Sequence, residues 1–189
     1  MKNILLLVII SIFGICACQD QTTTQLNCDP VEIPALDTTK PVFTWRVWGP
    51  ELDTTFQSDN WQRFMMRLLD NESYQFEIMG IDSGGVARMQ LQLPAEPICQ
   101  LTSFYPDNAR IRDLPASRSL MLEISVERSD AGECLRMGGS ILTGTTSSPE
   151  YIGLTVFDFG GDNIRSNQAS HHAVIYYTKT AEDVGVKSY

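Results

Sequence analysis

Strict alternation of apolar and polar residues is the strongest constraint on this chain. Between residues 120 and 127, Leu120, Leu122, Ile124 and Val126 alternate with Met121, Glu123, Ser125 and Glu127. On an extended backbone successive side chains point to opposite faces, so this pattern makes a strand with one dry face and one wet face. A helix built from the same residues would scatter its apolar side chains around the circumference. The pattern recurs along the chain. Phe43, Trp45 and Val47 share a face of 42–48, Tyr74, Phe76 and Ile78 a face of 74–81, and Ala87, Met89, Leu91 and Leu93 a face of 86–93. Ile152, Leu154 and Val156 continue it, and 174–177 closes it. Short half-buried strands need a second sheet to cover their dry faces, which predicts a mainly β, antiparallel sandwich over residues 41–180.

One segment dissents. Trp61, Phe64, Met65, Leu68 and Leu69 stand at i, i+3, i+4, i+7 and i+8, with Ser58 placed to cap. That spacing predicts a short helix over 59–69. An edge strand over 64–69 is the competing reading.

The first residues have a different logic. Lys2 is the only charge before Asp20, and Ile4 to Ile15 form an apolar run ending in small residues and cysteines. The run is shorter than the roughly 20 residues a membrane span needs, and a polar segment follows it directly. This is the layout of a signal peptide, residues 1–17. Ile15-Cys16-Ala17-Cys18 resembles the lipobox of bacterial lipoproteins, with a branched apolar residue at −3, a small one at −1 and the acceptor cysteine at +1. The resemblance implies cleavage after Ala17 and acylation of Cys18. Two or more acyl chains hold a protein stably on a bilayer, so the mature chain is expected to be anchored. Gln19 after the lipid-bearing cysteine, in place of Asp, implies sorting to an outer membrane. Residues 18–40 are Thr-rich, carry Pro30 and Pro34 and show no periodicity, so they read as a flexible tether. Fully extended, such a tether reaches roughly 75 Å. Residues 181–189 read as a C-terminal tail.

Composition excludes some partners. The 189 residues carry a formal charge of −9, whereas nucleic-acid binding rests on clustered Lys and Arg. With 43% apolar residues the chain has enough for one core, and disorder is excluded as its main state.

Two junctions echo one another: Ile81-Asp82-Ser83-Gly84-Gly85-Val86 and Phe157-Asp158-Phe159-Gly160-Gly161-Asp162-Asn163. With their flanks, 74–93 and 151–177, they resemble the B–C and F–G hairpins of bacterial immunoglobulin-like and fibronectin-III-like domains. The resemblance implies an immunoglobulin-like β-sandwich used for binding or assembly. The chain departs from antibody-type domains in lacking their Cys, Trp, Cys spacing.

In an immunoglobulin-like order, Cys99 and Cys134 follow strands C and E and fall at one end, which implies a Cys99–Cys134 disulfide. Cys28 precedes strand A and is left free or intermolecular; a misplaced strand would reverse that parity. Both Asp-Gly turns would likewise lie at one end, bringing Asp82, Asp158, Asp162 and Asn163 together. Hard oxygen ligands on turns can hold calcium, and no other metal or cofactor is suggested. The competing reading is that each Asp caps its own turn.

Catalytic signals do not assemble. Asp82-Ser83-Gly84-Gly85 resembles the nucleophile segment of chymotrypsin-type proteases, but His171 and His172 both follow the serine, against that family's His, Asp, Ser order. Asp158-Phe159-Gly160 matches the kinase metal-binding triplet without the phosphate loop or catalytic loop. Trp45 is in phase with Phe43 and is expected in the core. Trp48 and Trp61 are candidates for an aromatic platform that stacks a sugar ring, or for packing under a loop. The sequence therefore points to a lipid-anchored, non-catalytic binding or assembly protein of the envelope, its partner an envelope protein or a glycan. A carbohydrate-binding lipoprotein and an envelope hydrolase are the alternatives.

Overall fold

The computed structural model describes residues 28–58, 64–94, 98–116, 119–145, 149–161 and 166–188. Two sheets form a sandwich. The first contains β1 (Val42–Gly49), β2 (Leu52–Gln57), β4 (Ser73–Ile81), β6 (Ile98–Tyr105) and β9 (Cys134–Leu142), in the order β2-β1-β4-β9-β6. The second contains β3 (Phe64–Leu69), β5 (Val86–Pro94), β7 (Arg110–Ala116), β8 (Ser119–Ser125), β10 (Glu150–Asp158), β11 (Gln168–Thr178) and β12 (Gly185–Ser188), in the order β12-β3-β11-β10-β5-β8-β7. Pairing is antiparallel except between β3 and β11. The mainly β sandwich expected from the alternation is the observed fold class.

The dry faces meet as the alternation requires. Phe43, Trp45 and Val47 on β1, Tyr74, Phe76 and Ile78 on β4, and Leu135 and Met137 on β9 are all buried. Opposite them lie Met89, Leu91 and Leu93 on β5, Leu122 and Ile124 on β8, Ile152, Leu154 and Val156 on β10, and Ala173 and Ile175 on β11. Burying one such large side chain contributes about 1.5–3 kcal/mol, so this double layer holds the fold. In the first sheet, Gly139 of β9 lies against the edge strand β6 so closely that a Cβ would strike the carbonyl oxygen of Gln100.

Several expectations are corrected. Residues 64–69 form a strand, so the predicted helix over 59–69 is not present in its described part; residues 59–63 lie outside the described residues. Met66 and Leu68 alternate into the core, and pairing on both sides, with β11 and β12, satisfies the backbone that a helix would have satisfied internally. The expected tail supplies β12. Asp82 to Gly85 do not close a hairpin: β4 and β5 belong to different sheets, and the turn is an arch between them. β10 and β11 do form the expected antiparallel hairpin.

The disulfide joins Cys28 to Cys134, not Cys99 to Cys134. Cys99 lies on β6 opposite Ile141, at the far end of β9 from Cys134. Seven residues of strand separate those positions by about 23 Å, far beyond the reach of a disulfide. Cys99 is a free, partly buried thiol whose pKa burial pushes up to about 12. Cys28 reaches Cys134 because the described end of the supposed tether is docked. Asp29 O accepts from Glu133 N at 3.0 Å, Val31 N donates to Ala131 O at 3.1 Å, and Pro30 and Leu36 bridge to Gly132 and Gly161.

His171 and His172 face opposite sides of β11, as neighbours on a strand must. His172 is exposed, and His171 is buried against Phe43 and Phe56.

Two outcomes follow from this packing. The Cys28–Cys134 bridge spans 106 residues; Cys28→Ser is expected to lower stability by roughly 2–5 kcal/mol in urea unfolding, while Cys99→Ser changes it little. Burial, with the nearby charge of His172, lowers the His171 pKa, so the unfolded chain binds a proton there more readily than the folded one. Stability is then lost as pH falls below about 6.5. His171→Phe is expected to flatten that acid-side fall in a melting series from pH 7.5 to 5.

Candidate functional site

The buried polar groups concentrate at the end of the sandwich where the β4–β5 arch, the end of β10 and the docked segment 28–37 meet. Asp82 opens the arch and is 5% exposed. Its backbone N–H donates to Glu133 O at 2.8 Å, and its Oδ1 accepts from Gly84 N at 2.7 Å, which closes a tight local turn. Asp158 ends β10 and is 1% exposed. Its Oδ1 accepts from Asn167 N at 2.6 Å and its Oδ2 from Asn167 Nδ2 at 2.7 Å. The same Asn167 amide donates to the backbone carbonyl of Asp37 at 3.1 Å.

Asp37 completes the set. Its Oδ1 accepts from the backbone N–H of Thr39 at 2.9 Å and from its hydroxyl at 2.6 Å. Among the described residues, its Oδ2 is buried without a hydrogen-bond donor and rests over Gly84, where a Cβ would collide with it. One carboxylate oxygen from each of Asp37, Asp82 and Asp158 lies within 4.8 Å of the others.

The electrostatics follow from this crowding. Burial pushes Asp82 up to about 6, partly opposed by the Gly84 hydrogen bond and reinforced by the charges of Asp37 and Asp158. Asp158 is raised by burial, against its Asn167 hydrogen bonds, and by the charge of Asp37. Asp37 is held below the usual range by the Thr39 hydroxyl. Burial thus makes Asp82 and Asp158 resist ionisation, while the Thr39 hydrogen bonds favour the ionised form of Asp37.

The convergence expected of Asp82 and Asp158 is observed. Asp162 and Asn163 lie outside the described residues. Asp37 was not among the expected members, because residues 18–40 read as tether; the Asp-x-Thr spacing of 37–39, which makes its local turn, was the available signal. Trp48 lies half-buried on the outer face of β1, with the Arg46 guanidinium 5.0 Å from its ring centre. Arg46 is itself held by Asp53 through bonds of 2.9 and 2.7 Å, so one face of the Trp48 ring is covered. Trp61 and the lipobox residues, Cys18 included, lie outside the described residues.

No protein-family model and no curated protein sequence matches the chain. Among solved structures, a non-cellulosomal cohesin from Archaeoglobus fulgidus is similar over 61% of this chain and 91% of its own, at 9% identity and a TM-score of 0.36. Domains D2 and D3 of the major pilin SpaD from Corynebacterium diphtheriae are similar over 61% of this chain and 52% of theirs, at 10% identity and a TM-score of 0.43. The collagen-binding domain of a Staphylococcus aureus adhesin is similar over 61% of this chain and 96% of its own, at 6% identity and a TM-score of 0.32. Likeness of this degree carries no conclusion about partner or activity.

The raised Asp82 pKa sets a sign. A carboxyl whose folded pKa exceeds its unfolded value adds stability below the unfolded value, and that contribution disappears as pH rises through the folded one. With divalent cations removed by chelator, Asp82→Asn is expected to melt higher than wild type at pH 7.5. The difference should vanish near pH 4, and a pH series of melting temperatures for the two proteins checks it.

Proposed function

We propose that this chain is a lipid-anchored envelope protein, acylated at Cys18 and sorted by Gln19 to the outer membrane, which presents a non-catalytic sandwich for binding or assembly. The observation that carries the reading is the disulfide between Cys28, ten positions after Cys18, and Cys134 at the start of β9. Disulfides persist in oxidising compartments, so the bridge agrees with export. The lipobox resemblance supplies both the export signal and the anchor.

The bridge also shortens the tether. With residues from Cys28 onward docked, the ten steps from Cys18 reach at most about 35 Å, half of what an undocked segment would allow. The sandwich is held close to the lipid surface, with its acid-cluster end joined to the anchored segment through Asp37. A domain so restrained meets partners near the membrane. The partner class remains an envelope protein or a glycan.

Labelled palmitate fed to cells producing the protein is expected to enter the wild type and not Cys18→Ser, which should also leave the membrane fraction. Label retained by Cys18→Ser, or wild type recovered without detergent, would overturn the anchor. Protease shaving of intact cells, followed by crosslinking and mass spectrometry, reads the leaflet and the neighbouring protein.

A further inference from the structure

We propose that Asp37, Asp82 and Asp158 bind one divalent cation of the calcium class, and that the ion fastens the segment after the lipid anchor to the end of the sandwich. The inference does not depend on how the chain is anchored. It begins with charge. Three carboxylates share a small buried volume, and the charges that act on Asp82 are those of Asp37 and Asp158. For Asp158 the acting charge is Asp37. Among the described residues, no basic side chain acts on any of the three carboxyls.

The second observation is the bare oxygen. Asp37 Oδ2 is buried and, among the described residues, meets no amide, hydroxyl or basic donor; the polar group facing the Asp37 carboxylate within the cluster is the Asp82 carboxyl. A buried acceptor left without a donor is costly, and a carboxylate oxygen more so. The other oxygen of Asp37 is held by Thr39, one oxygen of Asp82 by Gly84, and both of Asp158 by Asn167. These bonds orient the carboxylates, and a carboxylate oxygen that accepts one hydrogen bond keeps a lone pair for a metal.

Donor type and spacing select the ion. All three ligands are hard oxygens, which suit calcium or magnesium; there is no nitrogen or sulfur in the set to favour zinc or copper. Calcium holds oxygens at about 2.3–2.6 Å, so ligands on opposite sides of one ion lie about 4.6–5.2 Å apart. Atoms all within 4.8 Å of one another can therefore share a calcium ion with little movement. Magnesium demands a smaller, near-octahedral shell, to which three independent chain segments adapt less readily.

The three ligands come from the docked segment, the β4–β5 arch and the end of β10. Filling the site ties them together, and emptying it leaves mutual repulsion to push Asp37 away. Occupancy is thus expected to govern how firmly residues 30–40 are docked.

The test uses the full-length purified protein in detergent micelles, stripped with chelator and then titrated with calcium chloride or magnesium chloride. Metal analysis is expected to find one calcium per chain. At a hundredfold excess over Kd, the melting temperature should rise by about 5–10 °C. Limited proteolysis within residues 30–40 should slow on calcium addition. Asp37→Asn removes a ligand, and Gly84→Ala keeps every carboxylate but displaces Asp37 Oδ2. Both are expected to stay folded in chelator, with wild-type-like cooperative melting, and to lose the calcium shift. An unchanged melting temperature with no bound metal overturns the proposal, as does a calcium shift that survives intact in Asp37→Asn. If wild type binds no metal while Asp82→Asn is stabilised in chelator, a shared proton holds the cluster and the proposal fails.

Discussion

The mutual burial of two apolar sheet faces is the interaction on which the rest of the structure depends. Trp45, Tyr74, Phe76 and Ile78 on one side and Met89, Leu91, Ile152 and Leu154 on the other are essentially inaccessible to water. Neither sheet has a way to dry its own face. Fixing each residue's backbone costs about 1–2 kcal/mol, and only face-to-face burial at this density offsets that cost. The sheet separation then dictates the connections. A chain that leaves β4 and enters β5 must cross between the layers, and that crossing places Asp82 at the sandwich end.

The same closure brings unlike segments together. β10 ends beside the arch, so Asp158 arrives next to Asp82, and loop 131–133 hydrogen-bonds to residues 29 and 31 on one side and to the arch on the other. The docked segment adds Asp37 from above Gly84. Three acids thus occupy a place that the apolar core makes dry, where each charge is felt more strongly than in water. The core supplies the rigidity, and the acid cluster is the feature whose state responds to solution conditions.

Local pattern made the long alternating strands legible. The segments 42–48, 74–81, 86–93 and 120–127 were readable because one face of each is wet, and wet faces carry polar residues. β3 was misread because Phe64, Met65, Leu68 and Leu69 fit helical spacing, while Met66 and Leu68 fit the strand equally; neighbours on both sides decided the outcome. β9 shows no clean alternation, because Gly138 and Gly139 interrupt its apolar pattern. They lie in mid-strand, where the absence of a side chain lets β6 approach. β12 was read as a tail because four residues are too few to show a period.

Taken alone, the sequence determined the alternation that commits the chain to a sandwich, the lipobox resemblance at its start, and the Asp that ends a strand at each of two glycine-paired turns, Asp82 and Asp158. These are properties of neighbouring residues, set by the two-residue period of a strand and by short motifs. Tertiary structure decided the Cys28–Cys134 pairing, the docking of residues 28–37 and the entry of Asp37 into the acid cluster. Each of these joins residues far apart in the chain, and no local period encodes which distant segments meet. That depends on strand order and on which end of a strand a residue occupies once both sheets have closed.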